Sequence, residues 1–454
     1  MSTIAAISTP AAAAGLGVVR LSGPQALAVV GQVFRPADPT KAPAAMPGYT
    51  AAYGHVFDAD GDIDDCVALV FRAPHSYTGE DVAELSCHGG LYLLQRVLRA
   101  CLAAGARAAG PGEFTRRAFL NGKMDLTQAE SVMDLIAADG RLAARTALAA
   151  REGGTYRRLQ AVKDSLLAVA AQFGAYIDYP DEDIPELSPA ALEQTVADAI
   201  AALRALLATF DAGRVLREGV DTAIVGSPNV GKSTLMNCLA GCTRSIVTDI
   251  AGTTRDVVEE TVRLGDVTLR LADTAGIRDT GDTVETLGVA LARQRMEQAA
   301  LVIAVFDGSA PLSEEDKTLA DSLRQRAAIA VVHKADKPLA ADTEWLAARF
   351  AHVVTLSARE GTGVDALTAA VAAVTGVERL DAAQPVLTTE RQRQCAATAL
   401  ACLEEGAAAL AGGMTLDAVS VSVDGAISAI LELTGERATE AVVEQVFANF
   451  CVGK

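Results

Sequence analysis

The octapeptide Gly226-Ser227-Pro228-Asn229-Val230-Gly231-Lys232-Ser233 fits G-x-x-x-x-G-K-[ST] and follows the apolar run Ala223-Ile224-Val225. That order demands a strand, a tight glycine loop and a helix in immediate succession. Glycines at 226 and 231 let the backbone wrap so that successive N–H groups point at phosphate oxygens, and the helix adds its positive end. In such a loop Lys232 reaches the β- and γ-phosphates and Ser233 ligates Mg²⁺, with Asn229, Val230, Gly231 and Thr234 completing the cradle. A strand-to-helix turn that binds nothing carries the same local pattern, so the rest of the domain has to decide.

Downstream, Val267 to Ala272 reads as a strand that ends at Asp273-Thr274-Ala275-Gly276. An Asp there holds the Mg²⁺ water shell, and the Gly276 N–H touches a γ-phosphate. Between the two motifs lies Thr248-Asp249-Ile250-Ala251-Gly252-Thr253-Thr254-Arg255-Asp256, a switch-like loop whose Thr254 adds a hydroxyl ligand to Mg²⁺. Strands Leu301 to Phe306 and Ala328 to Val332 lead to His333-Lys334-Ala335-Asp336, and His352 to Leu356 leads to Ser357-Ala358-Arg359. Segments in this order and spacing specify an α/β guanine-nucleotide-binding domain. The Asp336 carboxylate accepts both N1–H and the 2-amino group of guanine, a donor pair adenine lacks. Lys334 lays its stem over the purine, and the Ala358 N–H meets O6. His333 stands where the N-K-x-D pattern has Asn. An imidazole makes one of the amide's contacts but not all, which predicts weaker nucleotide binding with the guanine preference kept.

Hydrolysis needs a different device from that of Ras-like proteins, because the water-orienting Gln after Asp-x-x-Gly is replaced by Ile277. Glu285 is the nearest carboxylate with apolar support and is assigned here as the catalytic group, acting through a bridging water. The competing reading is a solvated acidic face from Asp279 to Glu285. Arg255 and Arg278 qualify as arginine fingers by position only. The Asn229 side-chain oxygen suggests another source of positive charge, a monovalent cation beside the β- and γ-phosphates.

These motifs, together with Gly17-Val18-Val19-Arg20-Leu21-Ser22-Gly23, Tyr77-Thr78-Gly79-Glu80-Asp81-Val82-Ala83-Glu84, the segment Pro111 to Lys123, Asp178-Tyr179-Pro180-Asp181-Glu182 and the closing Cys451-Val452-Gly453-Lys454, resemble the bacterial tRNA-modifying GTPase family MnmE, also called TrmE. The resemblance runs end to end. It implies a K⁺-activated, dimerisation-dependent GTPase that works with the flavoprotein MnmG, in a heterotetramer or larger, to install a (carboxymethyl)aminomethyl group on C5 of wobble uridine 34 of tRNA. It implies K⁺ ligands at Asn229, Thr248, Ile250 and Thr253, with K⁺ replacing the arginine finger as two GTPase domains meet across a homodimer. Further, it implies that Arg20, Glu84, Lys123 and Lys454 hold 5-formyl- or 5,10-methylene-tetrahydrofolate, and that Cys451 lies near the modification site, with plain packing as the competing reading of that cysteine. Cations suit the carboxylates of a folate tail and a carboxylate suits pterin N–H donors, yet each is also an ordinary charged side chain.

The remaining bounds agree. At 454 residues the chain is long enough for about three domains of ~150 residues each, and half of it is apolar. No stretch reaches the ~18 uninterrupted apolar residues of a membrane helix, Pro10 and Arg20 interrupt the alanine-rich start, and a cytosolic protein without membrane contact is expected. Eight cysteines are scattered without paired C-x-x-C spacing, which favours small buried hydrophobes over a metal site. A net charge of −18 disfavours nonspecific RNA binding, so tRNA has to be held by a local basic patch or by MnmG. Arg116, Arg117 and Lys123 form one basic cluster, with an ordinary solvated surface as the competing reading.

Four segments follow from composition and period. Residues 1–121 mix short strands, an Asp60-Gly61 hairpin turn and one helix near 90–104, an α+β domain that the resemblance makes a folate-binding, aminomethyltransferase-like and dimerising fold. Residues 122–216 are helical, with stripes Leu159, Val162, Leu166, Val169, Phe173 and Leu192, Val196, Ile200, Leu203, Leu207, Phe210 at helix spacing. Residues 217–378 form the Ras-like P-loop GTPase domain, inserted in an α-helical domain that resumes over 379–454. Two rival functions share parts of this plan. A ribosome-assembly GTPase would carry a basic RNA-binding module after the GTPase domain, and a folate-dependent transferase with a regulatory GTPase would act without MnmG.

Overall fold

A computed structural model describes residues 2–178, 189–242, 260–271 and 296–454. The chain divides into two compact units, one of residues 1–133 with 427–454 and one of residues 134–426.

The first unit is built on a seven-stranded sheet: β1 (Ile4–Ile7), β2 (Ala14–Ser22), β3 (Phe34–Pro36), β4 (Thr50–Asp58), β5 (Gly61–Phe71), β6 (Val82–Gly89) and β7 (Arg107–Ala108), in the order β3-β4-β5-β6-β2-β1-β7. All neighbours are antiparallel except β1 and β7. Alternation sets the two faces: Val19 and Leu21 are fully buried, whereas Arg20 between them pairs across the strands with Glu84 on the opposite face. The buried face packs on helices Ala26–Val33 and Leu91–Ala103. The first of these helices was not expected. Its residues are almost all apolar, so they carry no helical period to read. The hairpin turn is displaced by one residue: Ala59 and Asp60 turn, and Gly61 opens β5 opposite Asp58.

The end of the chain returns to this unit. Pro111 bridges Val452, the Gly112 N–H donates to the Cys451 carbonyl at 3.3 Å, and the Phe114 N–H donates to the Lys454 carbonyl at 3.2 Å. Gly453 has φ +98°, and a Cβ there would sit 2.5 Å from the Ile7 carbonyl, so only glycine lets the tail lie this close.

Of the basic cluster, Lys123 is exposed and Arg116 half-buried, but neither a functional patch nor an ordinary solvated surface includes Arg117. Arg117 is 3 % exposed, and its guanidinium meets Glu80 at 2.9 Å, Glu113 at 3.0 Å and the Ser2 carbonyl at 2.8 Å. Arg116 faces Glu440 at 3.7 Å, and the Lys123 ammonium donates to the Pro74 carbonyl at 3.1 Å.

In the second unit, the stripe of helix Gly154–Asp178 is buried at Leu159, Val162, Leu166, Val169 and Phe173. Helix Pro189–Leu207 buries Leu192, Val196, Ala199, Leu203 and Leu206, so Leu206 takes the place read for Leu207, and Ile200 is half-buried. This helix packs against Glu390–Ala411, with Arg204 and Glu404 paired at 2.6 Å. A six-stranded sheet lies between them in sequence: β8 (Val220–Val225), β9 (Glu260–Leu264), β10 (Val267–Leu271), β11 (Leu301–Asp307), β12 (Ala328–His333) and β13 (His352–Leu356), ordered β13-β12-β11-β8-β10-β9. Only β9 and β10 pair antiparallel. Both faces are covered, by clusters that include Leu235, Leu239 and Leu367 on one side and Ala320, Leu323 and Leu346 on the other. That explains why β11 and β12 read as continuous apolar runs. Strand order reverses beside β8, which leaves a crevice at its carboxyl end. The β9–β10 turn reaches the helices: Asp266 Oδ1 accepts the Leu142 N–H at 2.9 Å and so caps helix Arg141–Arg151. Among the described residues no helix is long and apolar enough to cross a membrane.

Breaking a buried ion pair by removing one partner costs about 3–5 kcal/mol. Arg117→Ala, which removes the cation paired with Glu80 and leaves Glu113 with Arg107 alone, is expected to lose that much in urea unfolding, with Arg117→Lys in between; a loss under ~1 kcal/mol would show that the network carries little.

Candidate phosphate and base site

The glycine loop sits at the end of β8, and helix Lys232–Cys242 starts from it. Gly226 and Gly231 have φ of +151° and +106°, and Asn229 is left-handed at +63°. Side-chain nitrogens draw the loop's carbonyls outward. Lys232 Nζ donates to the carbonyls of Gly226 and Ser227 at 2.7 and 2.9 Å, Lys334 Nζ to that of Asn229 at 2.9 Å, and His333 Nδ1 to that of Val230 at 2.9 Å. A loop so turned presents its N–H groups to the concave side, where an anion is cradled. Lys232 has three ammonium protons, so at most one remains for a phosphate. Burial pushes its pKa down, a cost that an arriving phosphate relieves. Ser233 and Thr234 are exposed at the start of the helix, where the Ser233 hydroxyl is open to a cation.

His333 is 4 % exposed and pressed on the loop, because a side chain at Gly231 would collide with its ring. A carbonyl can only accept, so Nδ1 carries the proton. Nε2 is then the acceptor for the Ala358 N–H, at 3.4 Å. The imidazole is thereby a neutral bridge between the phosphate loop and the base loop, and it holds the N–H that the sequence reading gives to guanine O6. Lys334 has φ +65° and is anchored on Asp307 at 2.5 Å. Burial pushes the Asp307 carboxyl up, but hydrogen bonds from Lys334 and Ser309 outweigh it and hold it at about 2. Sequence reasoning missed Asp307; its place at the end of the apolar β11 run, in register with His333, was the available signal. Asp336 is exposed and accepts the Ser357 hydroxyl at 2.8 Å, a bond that lowers its pKa and keeps it ionised as a guanine acceptor. Ser357 itself is fully buried, held by paired backbone bonds with Thr362 of 3.0 and 3.2 Å, and Arg359 is exposed beyond it. Thr248, Asp249, Ile250, Ala251, Gly252, Thr253, Thr254, Asp273, Thr274, Ala275, Gly276 and Glu285 lie outside the described residues, as do Arg255, Ile277 and Arg278.

In the first unit, Arg20 and the C-terminal tail meet. The Arg20 guanidinium donates to Glu84 Oε1 at 2.8 Å through Nε and reaches the Gly453 carbonyl at 3.4 Å through Nη1. It lies 5.8 Å from the Tyr77 ring centre and 5.7 Å from that of Phe114, cation–π distances. Both bonds from Arg20 to Glu84 end on Oε1, so Oε2 keeps its lone pairs for a donor. Lys123 is tied to Pro74, on the loop that carries Tyr77. Cys451 is exposed; Cys66, Cys87, Cys101 and Cys395 are buried. Burial holds the Cys87 thiol at about 11 and Cys101 at about 12, which makes them poor nucleophiles.

Residues 126–451 match the family model described as the MnmE helical domain, and residues 3–123 match the GTP-binding protein TrmE N-terminus. Proteins named tRNA modification GTPase MnmE from Levilactobacillus brevis and Symbiobacterium thermophilum are 40% and 43% identical to this chain, covering all of it and 98% and 99% of their own length. Among solved structures, the G domain of the T. maritima FeoB iron transporter is 26% identical over 34% of this chain and 98% of its own, with a TM-score of 0.26, an overlap too low to argue from.

With both ring nitrogens occupied, His333 has nothing left for a base. His333→Asn is expected to tighten GDP and GTP binding by about fivefold, the worth of roughly one net hydrogen bond, in titrations with a fluorescent nucleotide. Unchanged or weaker affinity would count against this account.

Proposed function

The chain belongs to the MnmE (TrmE) family of tRNA modification GTPases, and from that premise we propose a K⁺-activated, dimerisation-dependent GTP hydrolase that acts with the flavoprotein MnmG to place a (carboxymethyl)aminomethyl group on C5 of wobble uridine 34. The chain is a GTP hydrolase of tRNA modification. The observation that carries the nucleotide chemistry is the glycine loop, its carbonyls turned outward by Lys232, Lys334 and His333, and linked through His333 to the Ser357-Ala358 segment that holds the base acceptor Asp336. Lys232 neutralises the β- and γ-phosphates, and Asp336 selects guanine.

Mg²⁺, which would spread the charge of the γ-phosphate, is held in this reading by Ser233 and Thr254. The exposed Ser233 fits that role. K⁺ would stabilise charge that builds at the bridging oxygen, with Asn229, Thr248, Ile250 and Thr253 as ligands. Support comes from Asn229: Lys334 holds its backbone carbonyl while the residue is exposed at the loop's edge. Glu285 orients the attacking water through a second water.

The open face of the first sheet supports the homodimer. Tyr53 and Val67 are cross-strand partners there, 53% and 38% exposed, with Leu16 at 68%. Apolar side chains grouped on an uncovered face mark an association surface. The donor set of Arg20, Glu84 and the Gly453-Lys454 tail fits a ligand that carries carboxylates and ring N–H groups, as a reduced folate does. With Arg117 buried, tRNA is held largely through MnmG. The division into 1–121, 122–216, 217–378 and 379–454 is supported by the pairing of helices Pro189–Leu207 and Glu390–Ala411 from either side of the GTPase segment. Family membership disfavours the ribosome-assembly reading.

Steady-state GTP hydrolysis is expected to rise several-fold in KCl or RbCl over NaCl, with pairing of GTPase domains in GDP and aluminium fluoride; equal rates in all three salts would sink the cation site. Glu84→Ala should abolish 5-formyl-tetrahydrofolate binding and spare GTP turnover, whereas loss of both would indicate misfolding.

A further inference from the structure

Ser227 is the second residue of the glycine loop, and no sequence pattern assigns its side chain a task. Its hydroxyl donates to Asp316 Oδ1 at 2.7 Å. Asp316 is 8% exposed, and its other oxygen accepts the N–H and hydroxyl of Ser313 at 3.0 and 2.8 Å, while Ser313 Oγ accepts the Asp316 N–H at 3.1 Å. This capping box starts helix Glu314–Ser322. A capping box engages one carboxylate oxygen, and here the second oxygen is directed at the phosphate loop. The Ser227 carbonyl in turn holds Lys232 Nζ at 2.9 Å.

Resting on the GTPase reading above, we infer that Asp316 is a positioning residue for Lys232 and acts through Ser227. The next residue, Pro228, has no N–H, so the loop cannot be pinned there by a backbone donor. The Ser227 side chain supplies the missing anchor. Fixing residue 227 fixes the direction of its carbonyl, and that carbonyl, with the one at Gly226, directs two of the three Lys232 ammonium protons. The remaining proton is thereby aimed at the concave side of the loop before nucleotide arrives. Preorganisation of this kind raises affinity by removing an ordering cost from binding.

The full-length protein and its Ser227→Ala, Ser227→Thr, Asp316→Ala and double Ser227→Ala/Asp316→Ala variants would be titrated with GDP and GTP, alongside thermal melting and GTP turnover. Ser227→Ala should bind both nucleotides roughly fivefold more weakly with the melting temperature of the parent, because the cap lies on Ser313 and Asp316. Ser227→Thr should restore binding. Asp316→Ala should melt earlier and bind at least as weakly, and adding Ser227→Ala to it should change affinity no further, since the two act as one unit. Parental affinity in Ser227→Ala, or losses that add in the double variant, would overturn the relay. A parent that binds no guanine nucleotide would overturn the GTPase reading itself, and the relay with it, before any variant is made.

Discussion

Carbonyl groups in a phosphate loop are the enemy of its ligand. Each backbone unit that offers an N–H to an anion carries a C=O that must face elsewhere, and a buried carbonyl needs a donor. In this chain the donors are side-chain nitrogens from separate places: Lys232 in the loop, and His333 and Lys334 at the end of β12, which β11 separates from β8. Much of the surrounding design serves those three groups. Asp307 anchors Lys334, Gly231 makes room for the His333 ring, and parallel strands β8, β11 and β12 set the register that brings the ends together. Grip on the phosphate and grip on the base are therefore parts of one hydrogen-bonded assembly, joined through the His333 imidazole and the Lys334 ammonium.

How much of this was legible beforehand depends on what kind of physics each feature obeys. Strands β10 to β13 stand where the sequence placed them, most plainly β11 and β12, where burial on both faces leaves an unmistakable pattern, whereas β9, with only Val262 and Leu264 apolar, was not read. Long helices showed in their stripes, with slips of one residue: Ala199 and Leu206 take the buried places read for Ile200 and Leu207, as a difference of one residue rotates a helix by about 100°. Helix Ala26–Val33 was invisible because period cannot be read from residues that are nearly all apolar. Arg117 misled because Glu80 comes from far along the chain, although Glu113, four residues earlier on the same helix, was a partner open to reading. For His333 the sequence supplied the unusual residue; the tautomer and the bond to Ala358 needed coordinates, since both depend on groups brought from far along the chain.

The acidic balance of the chain acquires a structural meaning in the first unit. Arg20, Arg35, Arg96, Arg107 and Arg117 are each paired with a carboxylate of the same unit at 2.9 Å or less. Where the pair is buried, as for Arg117 with Glu80, the guanidinium holds elements together and is withdrawn from phosphate contacts, whereas Arg35 and Arg107 stay on the surface.

Asp266 sits at the tip of the hairpin whose strands, β9 and β10, lie between the switch-like loop and the Asp-x-x-Gly segment, and it closes the first turn of a helix outside the GTPase sheet. A cap of this sort is worth about 1 kcal/mol, enough to shift a local equilibrium about fivefold. Thermodynamic linkage runs in both directions. Should nucleotide displace the hairpin, the first turn of helix Arg141–Arg151 frays; should a macromolecule seize that helix, the same free energy reappears as altered nucleotide affinity. On those terms the hairpin's contacts, Asp266 on Leu142 and Arg263 on the Asp139 carbonyl, would let the helical layer both read the nucleotide cycle and drive it.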